Sequence, residues 1–500
     1  MKKLFRITFL SMLLICGAVT TVRADYFWSE NCQQAYAEAI RLDFESATKL
    51  CNQEKKERPE NLLPIYIESQ IDFLKSFIDE DKKQLEGIKA RNSERIDLLE
   101  KHKGKSPYQR LCIAEMYLQL AIARMRFEEF IVAAYDVRKA YKLLEENQKE
   151  YPDFKQNLRG LGLIHAAVGT IPKNYQWIAN MLGLSGSIKQ GLGELKLLLN
   201  ACYRNSELHY LKDETIVMLT FLELNLGKEK DNDVIRKRFY PVKDIHQRPI
   251  LLFAKSIFHF AAAENDSVID LLSRRPAETE GQPLHYLNFM EANARLFSMD
   301  FTAEKYYLKY LQNYRGTTYV KSAWQKLAWI RLLKGDMAGY KNYISKCTIA
   351  AKGEDLTDED KAAIKELESG EVPNTILLKS RLLFDGGYYQ RALAELAGKP
   401  ISLFPSLRNQ LEYTYRLARI FDKQEKKEKA LELYESTYQN GASQKFYFAA
   451  SASLHTAQIH EDLGNKTKAI EWYKKTLELR DHEYQNSLDQ KAKAGLNRLE

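Results

Sequence analysis

Apolar residues along the chain recur at the three- and four-residue spacing of helix faces, and proline is scarce, with 12 in 500 residues. Alanine, leucine, glutamate and lysine abound, which favours helix over sheet. The pattern predicts helices over 63–78 and 82–101 and a long pair over 108–149. It also predicts two weaker hairpins over 209–275, which turn at Leu226-Gly227 and Asn265-Asp266. The mature chain is therefore predicted to be all-α.

The C-terminal part repeats one hairpin pattern. A residue in the second helix of each hairpin recurs at positions 303, 340, 392, 430 and 469, and a large side chain such as Tyr307, Tyr434 or Tyr473 follows four residues later. Small residues let helices approach, and large ones fill the space beside them. The steps are 37, 52, 38 and 39 residues, and the long step contains a polar insertion near 352–373 with one short helix.

The segment "LHTAQIHEDLGNKTKAIEWYKKTLELRD", with Ala457, Gly464, Ala469 and Tyr473, resembles a tetratricopeptide repeat. The first hairpin of the mature chain has residues at matching positions: Ala35, Ala47, Cys51 and Pro59. The resemblance covers residues 284–480 and 28–60. It implies a tetratricopeptide-like helical-hairpin solenoid, in which the first helices line a concave face that binds a protein or peptide partner.

Tetratricopeptide domains tend to use the second, fifth, ninth, twelfth and thirteenth positions of each first helix on the concave face. Carried onto repeats that begin at 284, 321, 373, 411 and 450, the resemblance implies a set of partner-binding residues: Asn288, Arg295, Gln325, Trp329, Asn374, Arg381, Tyr415, Arg419 and Gln458. The alternative for Trp329 is a place in the core.

A glycine-rich segment, "GTIPKNYQWIANMLGLSGSIKQGLGELK", spans residues 169–196. No strand precedes it and no Gly-Lys-Ser/Thr follows, which argues against a phosphate loop. Lysines interrupt its apolar residues, which argues against a membrane hairpin. The segment therefore predicts a tight helical corner, in which Gly191 and Gly193 admit a neighbouring backbone.

Within this corner Pro172, Trp177, "MLGLSG", Gly191 and the leucines that follow resemble a segment of the eukaryotic inclusion-body clearance family of tetratricopeptide proteins. Members of that family are helical scaffolds and not known catalysts. The resemblance covers about 30 residues, and it implies a packing role for the glycines.

The first 24 residues have a basic start, an apolar run from Ile7 to Val22 and a small-residue cleavage site before Asp25. This pattern predicts a secretory signal peptide over 1–24. The alternative, a lipid on Cys16, conflicts with the bulky Ile15 before it. The remaining chain is predicted to divide into an N-terminal helical region over 25–205, weaker hairpins over 206–283 and the repeat array over 284–500.

The net charge of +8 falls to +4 once the four basic residues of the predicted signal are removed, and basic and acidic residues interleave. This balance gives no case for a nucleic-acid partner. After the signal no stretch is apolar for long enough to span a bilayer. No metal-ligand spacing, HExxH, GxSxG or cysteine–histidine nucleophile pattern occurs, so we expect no metal, no cofactor and no catalytic residue.

Five cysteines follow the predicted signal, and two of them lie in the first hairpin. Antiparallel packing about the turn at Asp43-Phe44 places Cys51 about half a turn from Cys32. In an oxidising compartment a disulfide there would close a loop of about 20 residues and stabilise a terminal repeat by roughly 3 kcal/mol. The alternative is a buried, reduced cysteine at position 51.

The sequence thus predicts an exported, non-enzymatic scaffold, periplasmic or outer-membrane associated, that binds a protein or peptide of the cell envelope. Two alternatives stay open. A glycan-capture protein of the SusD-like class would present an exposed aromatic platform outside the groove. A helical-toroid enzyme would gather acids or histidines from different repeats in one cleft.

Overall fold

The computed structural model describes residues 25–79, 82–102, 106–126, 128–171, 176–227, 231–276, 281–348 and 357–499. The predicted signal peptide, with Cys16, lies outside these residues. So do Pro172 of the glycine-rich corner and the first part of the polar insertion. Within the described residues all regular secondary structure is helical.

Most helices before residue 205 pack against a neighbour in the chain. In chain order they are α1 Glu30–Ile40, α2 Phe44–Glu57, α3 Leu63–Asp79, α4 Lys82–Lys101, α5 Pro107–Arg126, α6 Phe130–Glu150, α7 Asn157–Val168, α8 Gln176–Met181 and α9 Ile188–Arg204. The next four are α10 Lys212–Leu226, α11 Asn232–Arg238, α12 Pro249–Ala261 and α13 Asn265–Ser273.

The remaining helices are five hairpins, one inserted helix and a final helix. The hairpins are α14 Tyr286–Phe297 with α15 Ala303–Asn313, α16 Val320–Leu333 with α17 Met337–Ser345, α19 Thr375–Asp385 with α20 Tyr389–Leu396, α21 Leu407–Lys423 with α22 Lys427–Gly441, and α23 Tyr447–Asp462 with α24 Lys466–Glu478. The inserted helix is α18 Asp358–Ser369, and the final helix is α25 Gln485–Leu499.

The repeat positions predicted from the sequence are core positions. Ala303, Tyr340, Ala392, Ala430 and Ala469 are all buried, and so are the large residues four positions later: Tyr307, Ile344, Leu396, Tyr434 and Tyr473. Four of the five second helices thus pack an alanine against the first helix and a larger residue beside it, whereas α17 has Tyr340 followed by Ile344. The chain is a tetratricopeptide-like solenoid of stacked helical hairpins.

One predicted turn is displaced. The hairpin of α12 and α13 turns at residues 262–264, and α13 already begins at Asn265. Ala263 adopts a left-handed conformation with φ 58°, which ends α12 three residues before the predicted turn.

The glycine-rich segment is a close crossing of α7 and α9. A Cβ atom on Gly191 would lie 2.3 Å from the carbonyl oxygen of Gly162 and 2.6 Å from the amide nitrogen of Ala166. The prediction that a backbone approaches Gly191 is therefore confirmed. It is wrong for Gly193, whose added Cβ would meet nothing within 4 Å.

A buried ionic network ties the N-terminal helices together. The Arg159 guanidinium of α7 contacts Glu115 of α5 at 3.0 Å and Glu214 of α10 at 2.5 Å. It also donates hydrogen bonds to the hydroxyls of Tyr36 in α1 and Tyr66 in α3. Burial raises the pKa of Glu115, while the Arg159 charge opposes that rise. One side chain thus joins five helices.

Cys32 and Cys51 are both buried and both free thiols in the structure. Burial raises the pKa of the Cys32 thiol to about 11 and that of Cys51 to about 12. A thiol with so high a pKa is a weak nucleophile at neutral pH. The disulfide between them is not formed in this structure and stays a prediction from the sequence.

Candidate functional site

The first helices of successive C-terminal hairpins line one side of the solenoid, and a cavity of about 340 Å³ lies among them. Its walls come from α16, α18, α19, α21, the first residue of α23 and the turn at 481–484. We call this space the groove cavity. Because four different hairpins contribute to it, the stacking of the solenoid itself creates it.

The inserted helix α18 forms one wall, and it packs on α16 and α17. The Glu366 carboxylate accepts hydrogen bonds from Gln325 Nε2 at 2.7 Å, Trp329 Nε1 at 3.0 Å and the Tyr340 hydroxyl at 3.0 Å. The preceding residue of α18, Lys365, contacts Glu483 at 2.9 Å. The insertion therefore crosses the groove from α16 to the turn before α25.

Arg381 of α19 is the most open cation of the cavity wall that belongs to a first helix. Its guanidinium carbon lies 5.1 Å from the centre of the Trp329 ring. Its nearest carboxylate is Asp385 at 3.8 Å, too far for a hydrogen bond, and 37% of its side chain is exposed. An arginine stacked on an indole keeps most of its donors available to a ligand.

A second cation, Arg408 of α21, is more firmly held. Its guanidinium donates to Glu483 Oε1 at 3.3 Å and lies 4.8 Å from the centre of the Phe446 ring. Burial alone would raise the pKa of Glu483, but the charges of Lys365 and Arg408 hold it below its usual range. This ion cluster fixes the turn at 481–484 against α18 and α21.

The pKa of Glu366 is shifted in the opposite direction to that of Glu483. Burial raises the pKa of its carboxyl group above the usual range, although Trp329, Tyr340 and Gln325 donate to it. Two cavity carboxyl groups, Glu366 and Glu483, thus have pKa values shifted in opposite directions.

His482 also lines the cavity. It is 8% exposed, and its Nδ1 lies 2.8 Å from the carbonyl oxygen of Glu483. Among the residues that the structure describes, its Nε2 has no hydrogen-bond partner. A buried ring nitrogen without a partner can form a hydrogen bond with a ligand.

The structure brings four of the nine sequence-predicted partner-binding residues to the cavity: Gln325, Trp329, Asn374 and Arg381. Gln325 and Trp329 are buried beneath α18, which corrects the expectation that they lie open. Asn374 caps α19, where its Oδ1 accepts from the amide of Ile376 at 3.0 Å. The Trp329 ring is buried and also forms part of the cavity wall, and its role in partner binding stays a prediction.

The other five residues lie away from the cavity and are engaged within the chain. Asn288 is buried beside Arg275, and Tyr415 is buried with its hydroxyl 2.7 Å from Ser451 Oγ. The remaining three have internal partners: Arg295 contacts Glu291 at 2.8 Å, Arg419 donates to the Tyr415 hydroxyl at 3.0 Å, and Gln458 Oε1 lies 3.0 Å from His455 Nδ1.

Sequence reasoning missed the residues of α18 and of the turn at 481–484. The long step of 52 residues was the signal for α18, since an insertion between packed hairpins must lie on some face of the solenoid. Its acids were assigned to a polar insertion, and no periodicity links them to donors on α16. His482 and Glu483 gave no signal, because they lie outside the repeat pattern.

Outside the groove, Tyr135 of α6 and Trp177 of α8 are exposed aromatic side chains. The alternative of a glycan-capture protein stays an expectation from the sequence. Across the residues that the structure describes, no helix has the length and apolarity needed to cross a bilayer. Nor do three or more metal-ligating side chains come together anywhere in the described ranges.

No protein-family model and no curated protein matches the chain. Solved structures similar to it include an IFIT1 monomeric mutant with m7Gppp-AAAA, with 14% identity over 77% of this chain and 81% of that chain and a TM-score of 0.29. Yeast Tom70 has 12% identity, covers 94% and 95% of the two chains, and gives a TM-score of 0.25.

A third similar structure, the APC/C hetero-tetramer Cut9–Hcn1, has 11% identity, covers 93% and 94% of the two chains, and gives a TM-score of 0.25. Superposition this loose carries no argument about function. The fold class therefore rests on the hairpin packing described above, and the resemblance of residues 169–196 to the inclusion-body clearance family stays an interpretation of the sequence.

Proposed function

We propose that the chain is an exported scaffold that binds a protein or peptide of the cell envelope at the groove cavity. One observation carries the proposal. Four positions chosen from the repeat pattern, on the neighbouring first helices α16 and α19, converge with α18 on one cavity. Concave faces of helical-repeat solenoids present this kind of surface to extended or helical partners.

The chemistry of the cavity supports a small, specific anchor. A volume of about 340 Å³ accommodates one or two side chains of a partner. Arg381 offers donors above the Trp329 ring, and arginine and tryptophan are prominent among the residues that dominate interface energetics. The partner would place an acceptor group, such as a carboxylate or a backbone carbonyl, against Arg381.

The proposed location outside the cytoplasm rests on the sequence of residues 1–24 alone. If that segment directs export, the partners available to the groove are envelope proteins. The interleaved surface charges do not favour any nucleic acid as a ligand.

A comparison of two arginine variants tests the binding role. Envelope extract is passed over the immobilised wild-type chain, over Arg381→Ala and over Arg274→Ala, and captured proteins are quantified by mass spectrometry. Arg274 is a matched control because it is exposed and pairs with Asp270, one turn earlier on α13, at 2.6 Å. We expect one partner to fall at least tenfold on Arg381→Ala, about 1.4 kcal/mol, and to be retained on Arg274→Ala. Equal capture by all three chains would refute the assignment.

A hydrolytic function is the second candidate, and the oppositely shifted carboxyl groups of Glu366 and Glu483 are the observation that favours it. Two carboxyl groups in one cavity, one with its pKa above and one with its pKa below the usual range, are the kind of pair from which acid–base hydrolysis draws its acid and its base. Release of reducing ends from envelope polysaccharide, abolished by Glu366→Gln and by Glu483→Gln, would establish it. Absence of turnover leaves the scaffold role, in which both carboxylates hold α18 in place.

A further inference from the structure

The inserted helix α18 lies on a surface that presents many hydrogen-bond donors around an apolar contact at Ala363. We propose that this face of α16 and α17 is a binding site for an acidic helical segment of a partner protein, and that α18 occupies the site in cis. The inference rests on the proposed function, because it names a kind of segment that the scaffold binds, on the face that α18 covers beside the groove cavity.

The first part of the site is the N-terminus of α16. The Asp360 carboxylate accepts from the backbone amides of Tyr319 at 2.8 Å and Ser322 at 2.9 Å. Tyr319 occupies the N-cap position of α16 and supplies no side-chain cap of its own. A helix N-terminus attracts carboxylates through its exposed amides and its dipole, and here α18 supplies the carboxylate.

The second part is a cation beside it. Glu359 accepts from Lys326 Nζ at 2.8 Å and from the Ser322 hydroxyl at 3.0 Å. The Lys326 side chain is 7% exposed beneath α18, and its ammonium group lies 5.4 Å from the Phe289 ring centre. A lysine held in this way needs a carboxylate partner, whichever chain provides it.

The third part is the set of donors around Glu366. Gln325 Nε2, Trp329 Nε1 and the Tyr340 hydroxyl all donate to this one carboxylate. In all three parts the donors belong to the α16–α17 hairpin and the acceptors are carboxylates of α18. The surface therefore selects acids.

The spacing of the anchors defines the segment that fits. Glu359, Ala363 and Glu366 lie on one helix face, at positions i, i+4 and i+7, with Asp360 next to the first. Ala363 is fully buried between the carboxylates, which leaves room for only a small residue there. A partner must present two adjacent acids, a small residue three positions later and a glutamate six positions after the second acid.

The attachment of α18 to α16 is weak enough for a partner segment to displace it. Within α18 only Asp360 and Ala363 are buried, whereas α16 buries ten residues. Ala363 and Leu367 contact the apolar core, but the other anchors of α18 are hydrogen bonds to its carboxylates, and segments that bury little apolar area are the ones that open locally. A trans segment of the same chemistry would replace it contact for contact.

The test uses a labelled, end-blocked peptide with the sequence of residues 357–369 and the variant Glu359→Gln/Asp360→Asn/Glu366→Gln. These substitutions keep the side-chain shapes but weaken the hold of α18 on α16. We expect the peptide to bind this variant at least tenfold more tightly than it binds the wild type, since α18 no longer competes. The matched control Glu368→Gln, at an exposed position on α18, should behave like the wild type.

Hydrogen exchange of α18 amides accompanies the binding measurement. We expect these amides to exchange at least tenfold faster than those of α16 in the wild type, and faster again in the triple variant. Peptide binding no tighter in the triple variant, or α18 amides as protected as those of α16, would overturn the proposal. Neither result depends on Arg381, so either could occur while capture of a partner through Arg381 still succeeds.

Discussion

Replacing Gly191 by alanine is expected to loosen the crossing of α7 and α9, whereas the same replacement at Gly193 is not. The added Cβ at position 191 would lie 2.3 Å from the carbonyl oxygen of Gly162 and 2.8 Å from Ala166 Cβ. Ordinary contact requires about 3.5 Å, so the two helices must separate by about 1 Å. Overpacking of this kind costs roughly 1–3 kcal/mol, and forced separation of two backbones belongs at the upper end.

Alanine also favours a helix by about 1 kcal/mol over glycine, so the net loss at position 191 is about 2 kcal/mol. Position 193 is in the same helix and has nothing within 4 Å of an added Cβ, so only the favourable term of up to about 1 kcal/mol applies there. The same glycine-to-alanine replacement is therefore expected to lower the stability of the helix crossing at position 191 and not at position 193, two residues later.

Hydrogen exchange followed by mass spectrometry is the suitable assay, because stacked hairpins need not unfold in a single step. A loss of about 2 kcal/mol predicts that amides in 157–168 and 188–204 exchange about 30-fold faster in Gly191→Ala. The same amides should exchange more slowly, or at an unchanged rate, in Gly193→Ala. Equal acceleration in both variants, or none in Gly191→Ala, would refute the close-approach reasoning.

Three further outcomes follow from other parts of the chain. Hydrogen bonds from Arg498 lower the pKa of Glu461. The stability that they give to α25 is therefore present above the usual carboxyl pKa of about 4.3 and is lost as the pH falls through the lowered value. The amides of 485–499 should exchange faster in acid, and an unchanged exchange rate would contradict this. If the predicted disulfide between Cys32 and Cys51 forms in the envelope, denatured protein should take up alkyl groups on these two residues only after reduction, and alkylation of both without reduction would contradict the prediction. N-terminal sequencing of the protein isolated from cells should begin at Asp25, and a chain that retains Met1, or a lipid on Cys16, would contradict the predicted export signal.

The repeat core could be predicted because its information is local and periodic. Each of Ala392, Ala430 and Ala469 lies four residues before a large side chain, and the spacing alone identifies a helix face that must be buried. Gly191 could be assigned for a similar reason, since glycine inside a helix requires a cause. Gly193 shows the limit, because the sequence does not reveal which of two nearby glycines meets the neighbouring helix.

The groove could be predicted only in part, because its contacts join residues far apart in sequence. Glu366 meets Gln325 and Trp329 across 41 and 37 residues, and no period connects an inserted acid with those donors. Arg159 was missed for the same reason, since Tyr36 lies 123 residues from it. Repeat positions therefore identify four residues of the groove cavity, but the contacts of α18 depend on charge complementarity that appears only in three dimensions.

Site-specific photocrosslinking at the groove cavity tests the central claim most directly. A benzoylphenylalanine in place of Val372, which lines the cavity and is 42% exposed, is compared in living cells with one in place of Val234, which is 49% exposed on α11. The account predicts a covalent adduct with an envelope protein from position 372, lost when Arg381→Ala is added, and none from position 234. Adducts from position 234 alone, or adducts from position 372 that persist with Arg381→Ala, would contradict a partner bound at this cavity.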